Sequence, residues 1–485
     1  MIRELRRVSI GILILFGSLF ASTTIIQVLE VDNLRVDPRN VRTLYNSYST
    51  ERGSIIVGNV AIAESIPVDD VYKYQRTYTG GGLYAGITGY FTINNGISGL
   101  ELALNDQLSG QSNSQFFDQI LALFTDKNPR GASVQLTVNP AIQQAARDAL
   151  GDRTGAAIAI EPTTGRILAL VTTPSFDPND LATHNTDDAL ANFTKLEASS
   201  LEPLQNRAIA GALYHPGSVF KLVMAAAALD SGMFTTTSTF ANPAQLQLPQ
   251  STSYIHNSTK QTCGGLKTPV TIGIALQYSC NIPFAEMGQQ LGEDTIRSYS
   301  EAFGFGASIE IPLPSTPSIY PKNMDQAQLM LSSFGQFDVR VSPLQMAMVS
   351  SAIANGGKLM KPNLVDSILA SNLSPLSAFQ PTQYSQPISP ETAAALVQMM
   401  VTDVSNGAAS GAKIPGVQVA GKTGTAENGE GEPFTLWFTG FAPADNPKVV
   451  VAVVVENDDA RGQTGTSNGL AAPMGRKIME AVLAQ

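Results

Sequence analysis

The spacing of apolar residues divides the chain into three parts, of which the first is a stretch without ionisable side chains at residues 8–28. A helix of that length is about 31 Å long, close to the hydrocarbon thickness of a bilayer. Because arginines precede the stretch, the positive-inside rule predicts a cytoplasmic tail at residues 1–7, a single transmembrane anchor and an extracytoplasmic remainder. The arginines are Arg3, Arg6 and Arg7.

A cleaved signal peptide is the alternative interpretation of this segment. Its apolar region would be Ile10–Phe20, with the small residues Ala21 and Ser22 near the cut. Apolar residues recur from Ile25 to Val28, beyond that cut. This continuation favours an anchor that stays on the mature protein.

The second part, residues 29–132, has no sustained apolar periodicity. It is rich in Gly, Asn, Ser and Tyr, and its helical stripe is confined to residues 114–124. A short strand is predicted at Ile55–Val57, after the turn that begins at Arg52. We therefore predict a small, loop-rich pedestal domain.

The third part, residues 133–485, opens with an alternating strand at 133–138 and a helix that begins at Asn139 and Pro140. Further strand patterns lie at 155–160, 166–172, 416–420, 435–441 and 448–455. Helical patterns lie at 218–229, 271–278, 282–291, 343–354, 390–401 and 473–483. Strands at both ends with helices between them predict an α+β domain whose sheet is closed by the two ends of the chain.

Composition narrows the possible functions. Only 14% of the residues are charged, and a net charge of -10 with a pI of about 4.9 leaves no basic surface for nucleic acid. The three histidines and two cysteines match no zinc-binding spacing. We therefore expect no nucleic acid, no metal and no cofactor.

The first candidate for chemistry is the pair Ser218 and Lys221. Ser218 follows a Pro-Gly turn at the start of an apolar helix, and Lys221 lies one turn later on the same face. An amine with a lowered pKa could take the proton of the serine hydroxyl and make it a nucleophile. The pair alone is a weak signal, since serine is also a common helix N-cap and lysine is commonly solvated.

Two further motifs strengthen it: Ser279-Cys280-Asn281 between two helical patterns, and Lys422-Thr423-Gly424-Thr425 after a strand. In this order and at these distances, the three motifs resemble the S-x-x-K, S-x-N and K-T-G set of penicillin-binding proteins and serine β-lactamases. The resemblance implies a serine β-lactamase/transpeptidase-like fold with an antiparallel sheet and a helical region.

Other segments resemble the class B penicillin-binding proteins, which are peptidoglycan D,D-transpeptidases: Arg52–Ile55, Gly155–Asp177 and Val341–Gly357. The anchor and short spacer are similar to those of the actinobacterial penicillin-binding protein A group, associated with division and septal wall synthesis. The resemblance implies peptidoglycan stem peptides as D-Ala-D-Ala donors, and covalent inhibition by β-lactam antibiotics. It also implies a membrane peptidoglycan polymerase of the shape, elongation, division and sporulation family as partner.

Carried over by motif, the resemblance makes Ser218 the nucleophile that attacks the penultimate D-Ala carbonyl. Lys221 would be its base, and Ser279 would pass a proton to the departing D-Ala. Asn281 would hold the substrate amide and orient Lys221.

The third motif would bind the substrate carboxylate through Lys422 and through the hydroxyls of Thr423 and Thr425, with Gly424 between them. The backbone N–H groups of Ser218 and Thr425 would form the oxyanion hole.

The two cysteines lie 17 positions apart, and Cys280 occupies the middle of the S-x-N motif. The predicted compartment permits disulfides. A Cys263–Cys280 bond and two unpaired thiols are both compatible with the sequence.

Three other functions can be weighed against the motifs. A serine–histidine hydrolase would need a G-x-S-x-G elbow, but Phe220 occupies its second glycine position, and we expect His215 to be a loop residue near the mouth of the site. A non-catalytic sensor would not need all three motifs. D,D-carboxypeptidase or β-lactamase activity would differ only in using water to resolve the acyl-enzyme, and the anchor favours a cross-linking enzyme.

Overall fold

The computed structural model describes residues 2–26, 48–93, 95–112, 115, 130–211, 213–429, 431–456 and 465–485. Its first helix is Ile2–Thr24, and the part from Arg6 onward is long and apolar enough to cross a membrane. The last two residues of the predicted anchor lie outside the described residues.

Five antiparallel strands form the central sheet. Their order is Ala420–Ala426, Thr435–Ala442, Val449–Glu456, Gly155–Ile160 and Ile167–Thr173. Val450 pairs with Ile160, so a strand from the end of the chain lies beside one from the start of the α+β region. The prediction that the two ends of the chain close the sheet is confirmed.

Both faces of the central sheet are covered, which explains why its strands are apolar almost throughout. On one face, Phe438 and Val451 pack with the helices Pro140–Leu150 and Ala471–Leu483. On the other, Trp437 packs with the helix Pro343–Ala354. Alternate residues of a strand point to opposite faces, so burial of both faces requires a continuous apolar run.

The helical region packs around a helix, Lys221–Asp230, whose first eight residues are buried. Its other described helices are Asn179–Ala182, Thr186–Glu197, Ile272–Gln277, Ile282–Leu291, Glu293–Ala302, Gln326–Ser332 and Pro390–Asn406. Three two-stranded ribbons lie among them: Thr239–Phe240 with Val270–Thr271, Gln245–Gln247 with Tyr254–His256, and Leu359–Met360 with Gln383–Ser385.

A second sheet joins the pedestal to the rest of the protein. Its strand order is Pro375–Ala378, Val365–Leu369, Ser133–Leu136, Ile55–Val57, Val60–Pro67 and Tyr74–Tyr78. Three of these strands precede position 133 and three do not, so the two regions share a hydrogen-bonded sheet. The pedestal also contains Ala85–Thr88, Phe91–Thr92, Gly96–Ile97, Gly99–Ala103 and Asn105–Leu108.

A buried ion cluster holds the pedestal together. The Glu101 carboxylate lies 2.8 Å from the guanidinium of Arg52 and 2.7 Å from that of Arg76, and all three side chains are at most 2% exposed. Arg76 also donates to the carbonyl of Gly53, 3.0 Å away. Burial alone would raise the pKa of Glu101, but the two arginines hold it below its ordinary value. The cluster thus fixes the segment 52–55 against two other elements.

Some element boundaries differ from the predicted ones. The strand predicted at 416–420 runs over Ala420–Ala426 instead, so the K-T-G motif lies inside a strand. The strand was not predicted at these residues because its own side chains are mostly small or carry hydroxyl groups. The apolar side chains lie on the adjacent strand Thr435–Ala442. The helix predicted from Ser218 begins as a 3-10 turn and becomes α-helical at Lys221. The predicted stripe at 114–124 lies outside the described residues except for Gln115.

Replacing Glu101 with Gln leaves two buried arginines without their counter-charge. We expect the Glu101→Gln substitution to destabilise the protein by about 3 to 5 kcal/mol, measured by urea denaturation followed by circular dichroism. Glu64→Gln, at an exposed position of Val60–Pro67, is the control and should change stability by less than about 0.5 kcal/mol. Equal unfolding midpoints for the two variants would contradict this account of the cluster.

Candidate active site

Ser218 lies where a helix start meets the edge strand of the central sheet. It belongs to the 3-10 turn Gly217–Phe220, in which Gly217 has a φ of 53°. A Cβ on Gly217 would lie 2.6 Å from the carbonyl oxygen of Thr425, and a Cβ on Gly424 would lie 2.8 Å from the backbone of the turn. Glycine at both positions therefore lets the serine turn approach the strand more closely than side chains would permit.

Lys221 is fully buried and lies at the centre of the site. Its Nζ is 2.9 Å from Oγ of Ser218, 2.8 Å from the carbonyl oxygen of Ser279 and 2.8 Å from Oδ1 of Asn281. Burial, and then the positive charge of Lys422, lower the pKa of Lys221 well below its ordinary value. The structure thus places a readily deprotonated amine beside the serine hydroxyl.

The S-x-N segment contacts both buried lysines. Ser279 has a φ of 57°, the left-handed conformation that is uncommon outside glycine. In this conformation its carbonyl accepts from Lys221 while its Oγ accepts from Lys422, at 2.9 Å. Asn281 is held in turn, because its Nδ2 donates to the carbonyl of His256 and its backbone N–H donates to Oδ1 of Asn257, each at 2.9 Å.

A disulfide joins Cys263 to Cys280, the central residue of the S-x-N motif. Both cysteines are buried, and their Cα atoms are 5.5 Å apart. Oδ1 of Asn242 accepts a hydrogen bond of 2.6 Å from the backbone N–H of Cys263 and so fixes that end of the disulfide. The disulfide therefore ties the segment that carries Ser279 to the 3-10 turn Cys263–Gly265.

Lys422 is the second fully buried lysine. Its Nζ is 2.9 Å from Oγ of Ser279, 3.0 Å from the carbonyl oxygen of Thr423 and 3.4 Å from Oδ2 of Asp403. Burial lowers the pKa of Lys422, and the Asp403 carboxylate opposes that shift. Burial raises the pKa of Asp403 to about 6, although Lys422 acts to lower it.

The two threonines of the third motif differ in their surroundings. Thr423 is 5% exposed, and its hydroxyl donates to the carbonyl of Ala408 at 3.1 Å. Thr425 is exposed, and its hydroxyl shares a hydrogen bond of 2.8 Å with Ser467. Thr425 is therefore the more accessible of the two predicted carboxylate ligands.

His215 is half-buried, and its ring lies beside the guanidinium of Arg340. Burial, and then the charge of Arg340, lower the pKa of His215 to about 4, so its ring is neutral at neutral pH. The amine of Lys221, rather than an imidazole, contacts Oγ of Ser218. The geometry therefore disfavours a serine–histidine hydrolase.

The sequence motifs miss three residues that touch this site. Asp403 follows the predicted end of its helix at 401, and nothing in its neighbourhood distinguishes it from a solvated acid. Ser467, which bonds both Thr425 and the carbonyl of Gly424, lies outside every predicted element. Asn257 follows a ribbon too short to be predicted. Only the three-dimensional contacts single them out.

Comparisons with known proteins place this geometry in a family. Residues 155–480 match the penicillin-binding protein transpeptidase domain, and residues 52–134 match the penicillin-binding protein A dimerisation domain. The chain is 40% identical to the peptidoglycan D,D-transpeptidases PbpA of Mycolicibacterium smegmatis and Mycobacterium tuberculosis, over 99% of both chains in each case.

Solved structures agree. Penicillin-binding protein A of M. tuberculosis matches over 90% of this chain and 100% of the solved chain in two acyl-enzyme complexes. The TM-score is 0.85 at 39% identity for the imipenem complex, and 0.84 at 38% for the penicillin G complex. This chain therefore belongs to the class B penicillin-binding proteins. The predicted α+β transpeptidase fold and the predicted D,D-transpeptidase activity are confirmed.

The disulfide can be checked without a structure of the protein. We expect the unreduced, denatured protein to contain no free thiol, because the two cysteines of the chain are bonded to each other. Thiol titration before and after reduction measures this, with two thiols expected after reduction. Two titratable thiols before reduction would contradict the bond.

Proposed function

We propose that this chain cross-links peptidoglycan stem peptides through an acyl-enzyme on Ser218, at the outer face of the cytoplasmic membrane. The observation that carries the proposal is the 2.9 Å contact between Nζ of the buried Lys221 and Oγ of the partly exposed Ser218. β-Lactam antibiotics would acylate the same oxygen.

The hydrogen-bond partners of Lys221 support its role as the base. Two of its three neighbours, the carbonyl of Ser279 and Oδ1 of Asn281, can only accept. In the resting contacts Nζ of Lys221 can donate to all three oxygens. Once deprotonated, the amine has two N–H donors for the two oxygens that only accept, and its lone pair would face the hydroxyl of Ser218. Ser218 would then donate its proton to Lys221 as Oγ attacks.

The reaction proceeds in two balanced steps. Oγ of Ser218 bonds to the penultimate D-Ala carbonyl carbon, its proton passes to Lys221, and the carbon–nitrogen bond to the terminal D-Ala breaks. The departing amine takes up the proton that Lys221 accepted from Ser218, and the hydroxyl of Ser279 would relay it once the substrate is bound. An acceptor amine then attacks the ester, loses its proton to the same machinery and regenerates Ser218.

The edge strand supplies the electrostatic part of the site. The N–H groups of Ser218 and Thr425 would bind the developing oxyanion, and the close approach of the serine turn to the strand supports this pairing. Lys422 and the exposed hydroxyl of Thr425 would attract the donor carboxylate. Thr423 would act through the strand, because its hydroxyl is engaged with Ala408.

The membrane arrangement is part of the same proposal. Residues 1–7 form a cytoplasmic tail, 8–28 the anchor, 29–132 the pedestal and 133–485 the transpeptidase domain. Arg3, Arg6 and Arg7 support this orientation. The packing of Pro140–Leu150 on the central sheet supports its inclusion in the catalytic part. A role in division, with a membrane peptidoglycan polymerase as partner, completes the proposal.

Intact-mass spectrometry after benzylpenicillin treatment tests the nucleophile. We expect the wild type to gain one drug mass and Ser218→Ala to gain none, because the attacking oxygen is gone. Ser231→Ala, an exposed serine after the same helix, is the control and should label like the wild type. Lys221→Ala should fold but acylate about 10² to 10⁴ times more slowly.

Two outcomes would overturn the assignment. A Ser218→Ala variant that still gains one drug mass would place the nucleophile elsewhere. An adduct that the wild type releases within seconds would make water the natural acceptor and the chain a hydrolase.

A further inference from the structure

A buried carboxylate at the back of the site is not accounted for by the three motifs. Asp403 lies in the last turn of Pro390–Asn406 and is 0% exposed. Its Oδ1 accepts from the N–H of Ala409 at 2.9 Å, whereas its Oδ2 is buried without a hydrogen bond among the described residues. The charged group nearest to Oδ2 is the ammonium of Lys422, 3.4 Å away. An ionised carboxylate is tolerated in such a place only beside an opposite charge.

Among the residues that the structure describes, the site contains two buried lysines and one buried carboxylate. Lys221 and Lys422 both contact Ser279, one at its carbonyl and the other at its Oγ. Two positive charges so close together in a dry site oppose each other, and one carboxylate offsets only one of them. Among the described residues, Lys422 has an ion pair with Asp403 and Lys221 has none.

The contacts of the two lysines are consistent with this distribution of protons. Nζ of Lys422 donates to Oγ of Ser279 and to the carbonyl of Thr423, and its third neighbour, Oδ2 of Asp403 at 3.4 Å, is an ion-pair partner that favours a charged lysine. Lys221 has two neighbours that can only accept and one hydroxyl that can accept or donate, so its contacts suit a neutral amine as well as an ammonium, and the ion pair of Lys422 distinguishes the two lysines.

We propose that Asp403 is a positioning residue, which keeps the proton on Lys422 and thereby leaves Lys221 as the neutral base. The inference rests on the proposed function, since it concerns the same acylation step. The charged groups that face one another here are Asp403 from its helix, Lys422 from the edge strand Ala420–Ala426, and Lys221 from the helix Lys221–Asp230, which follows Ser218 and is named the serine helix. Asp403 does not contact Ser218, and we do not expect it to contact the substrate. Its charge acts directly on Lys221 by raising the pKa of that lysine, but the charge that it maintains on Lys422 lowers the same pKa by more. The proposed effect therefore passes through Lys422.

The test is the pH dependence of the rate of acylation by a fluorescent penicillin, from about pH 6 to pH 10. Acylation needs a charged Lys422, so its rate falls as pH rises through the pKa of that lysine. Removing the opposite charge in Asp403→Asn lowers this pKa, and we expect the alkaline limb to move down by about 1 to 3 pH units. Asp403→Glu should move it back, and Glu391→Gln, an exposed carboxylate on the same helix, should leave it in place.

A purely structural role would give a different result. It would reduce the fraction of protein that can be acylated, measured by intact mass, without moving the alkaline limb. Coincident limbs for the wild type and Asp403→Asn would therefore overturn the positioning role while leaving Ser218 as the nucleophile. Absence of acylation in the wild type would instead overturn the proposed function itself.

If Asp403→Asn does not fold, a pair of variants decides the question. Lys422→Met leaves the Asp403 carboxylate without its counter-charge, whereas the double variant Lys422→Met/Asp403→Asn removes both charges of the pair. We expect the double variant to unfold at the same or a higher urea concentration than Lys422→Met, because an unpaired buried charge is costly. A double variant that is less stable than Lys422→Met would show that Asp403 acts only through its hydrogen bond to the backbone N–H of Ala409, and would overturn the proposal.

Discussion

The burial of two lysine side chains on either side of one serine is the constraint on which the site depends. Lys221 and Lys422 are both 0% exposed, and Ser279 lies between them with a contact to each. Removing an ammonium from water is costly unless its donors and its charge are satisfied. The left-handed conformation of Ser279 directs its carbonyl to Lys221 and its Oγ to Lys422, and Oδ1 of Asn281 accepts from Lys221. The carboxylate of Asp403 lies opposite the charge of Lys422.

The fold supplies these groups from distant parts of the sequence. The serine helix comes from the middle of the chain, whereas Lys422 and Thr425 lie on a strand near its end. Closure of the central sheet by strands from both ends gives that strand a fixed frame, and the helix Pro343–Ala354 fills the space between the sheet and the helical region. Glycine at 217 and 424 then sets the distance between the serine turn and the strand. The positions of Ser218 and Lys422 relative to each other thus depend on packing between distant segments.

The sequence was informative where a local pattern carries the chemistry. Ser218 and Lys221 are one turn apart, so their proximity follows from helix geometry, and the apolar strands 435–442 and 449–456 follow from burial on both faces. The contact between the S-x-N and K-T-G motifs came only from resemblance to a family, since no local rule brings Ser279 to Lys422. Neither local patterns nor the resemblance to a family identified Asp403 and Ser467, because the residues that they contact are far away in the sequence. The strand Ala420–Ala426 was misplaced because its pairing with Thr435–Ala442, rather than its own composition, makes it a strand.

The central claim is that Lys221 is neutral and Lys422 is charged before substrate binds. Neutron diffraction from deuterated crystals of the unacylated protein at neutral pH tests it most directly, because deuterons on nitrogen are visible. The account predicts two deuterons on Nζ of Lys221, directed at the carbonyl of Ser279 and at Oδ1 of Asn281, and three on Nζ of Lys422. Three deuterons on Lys221, or two on Lys422, would contradict it.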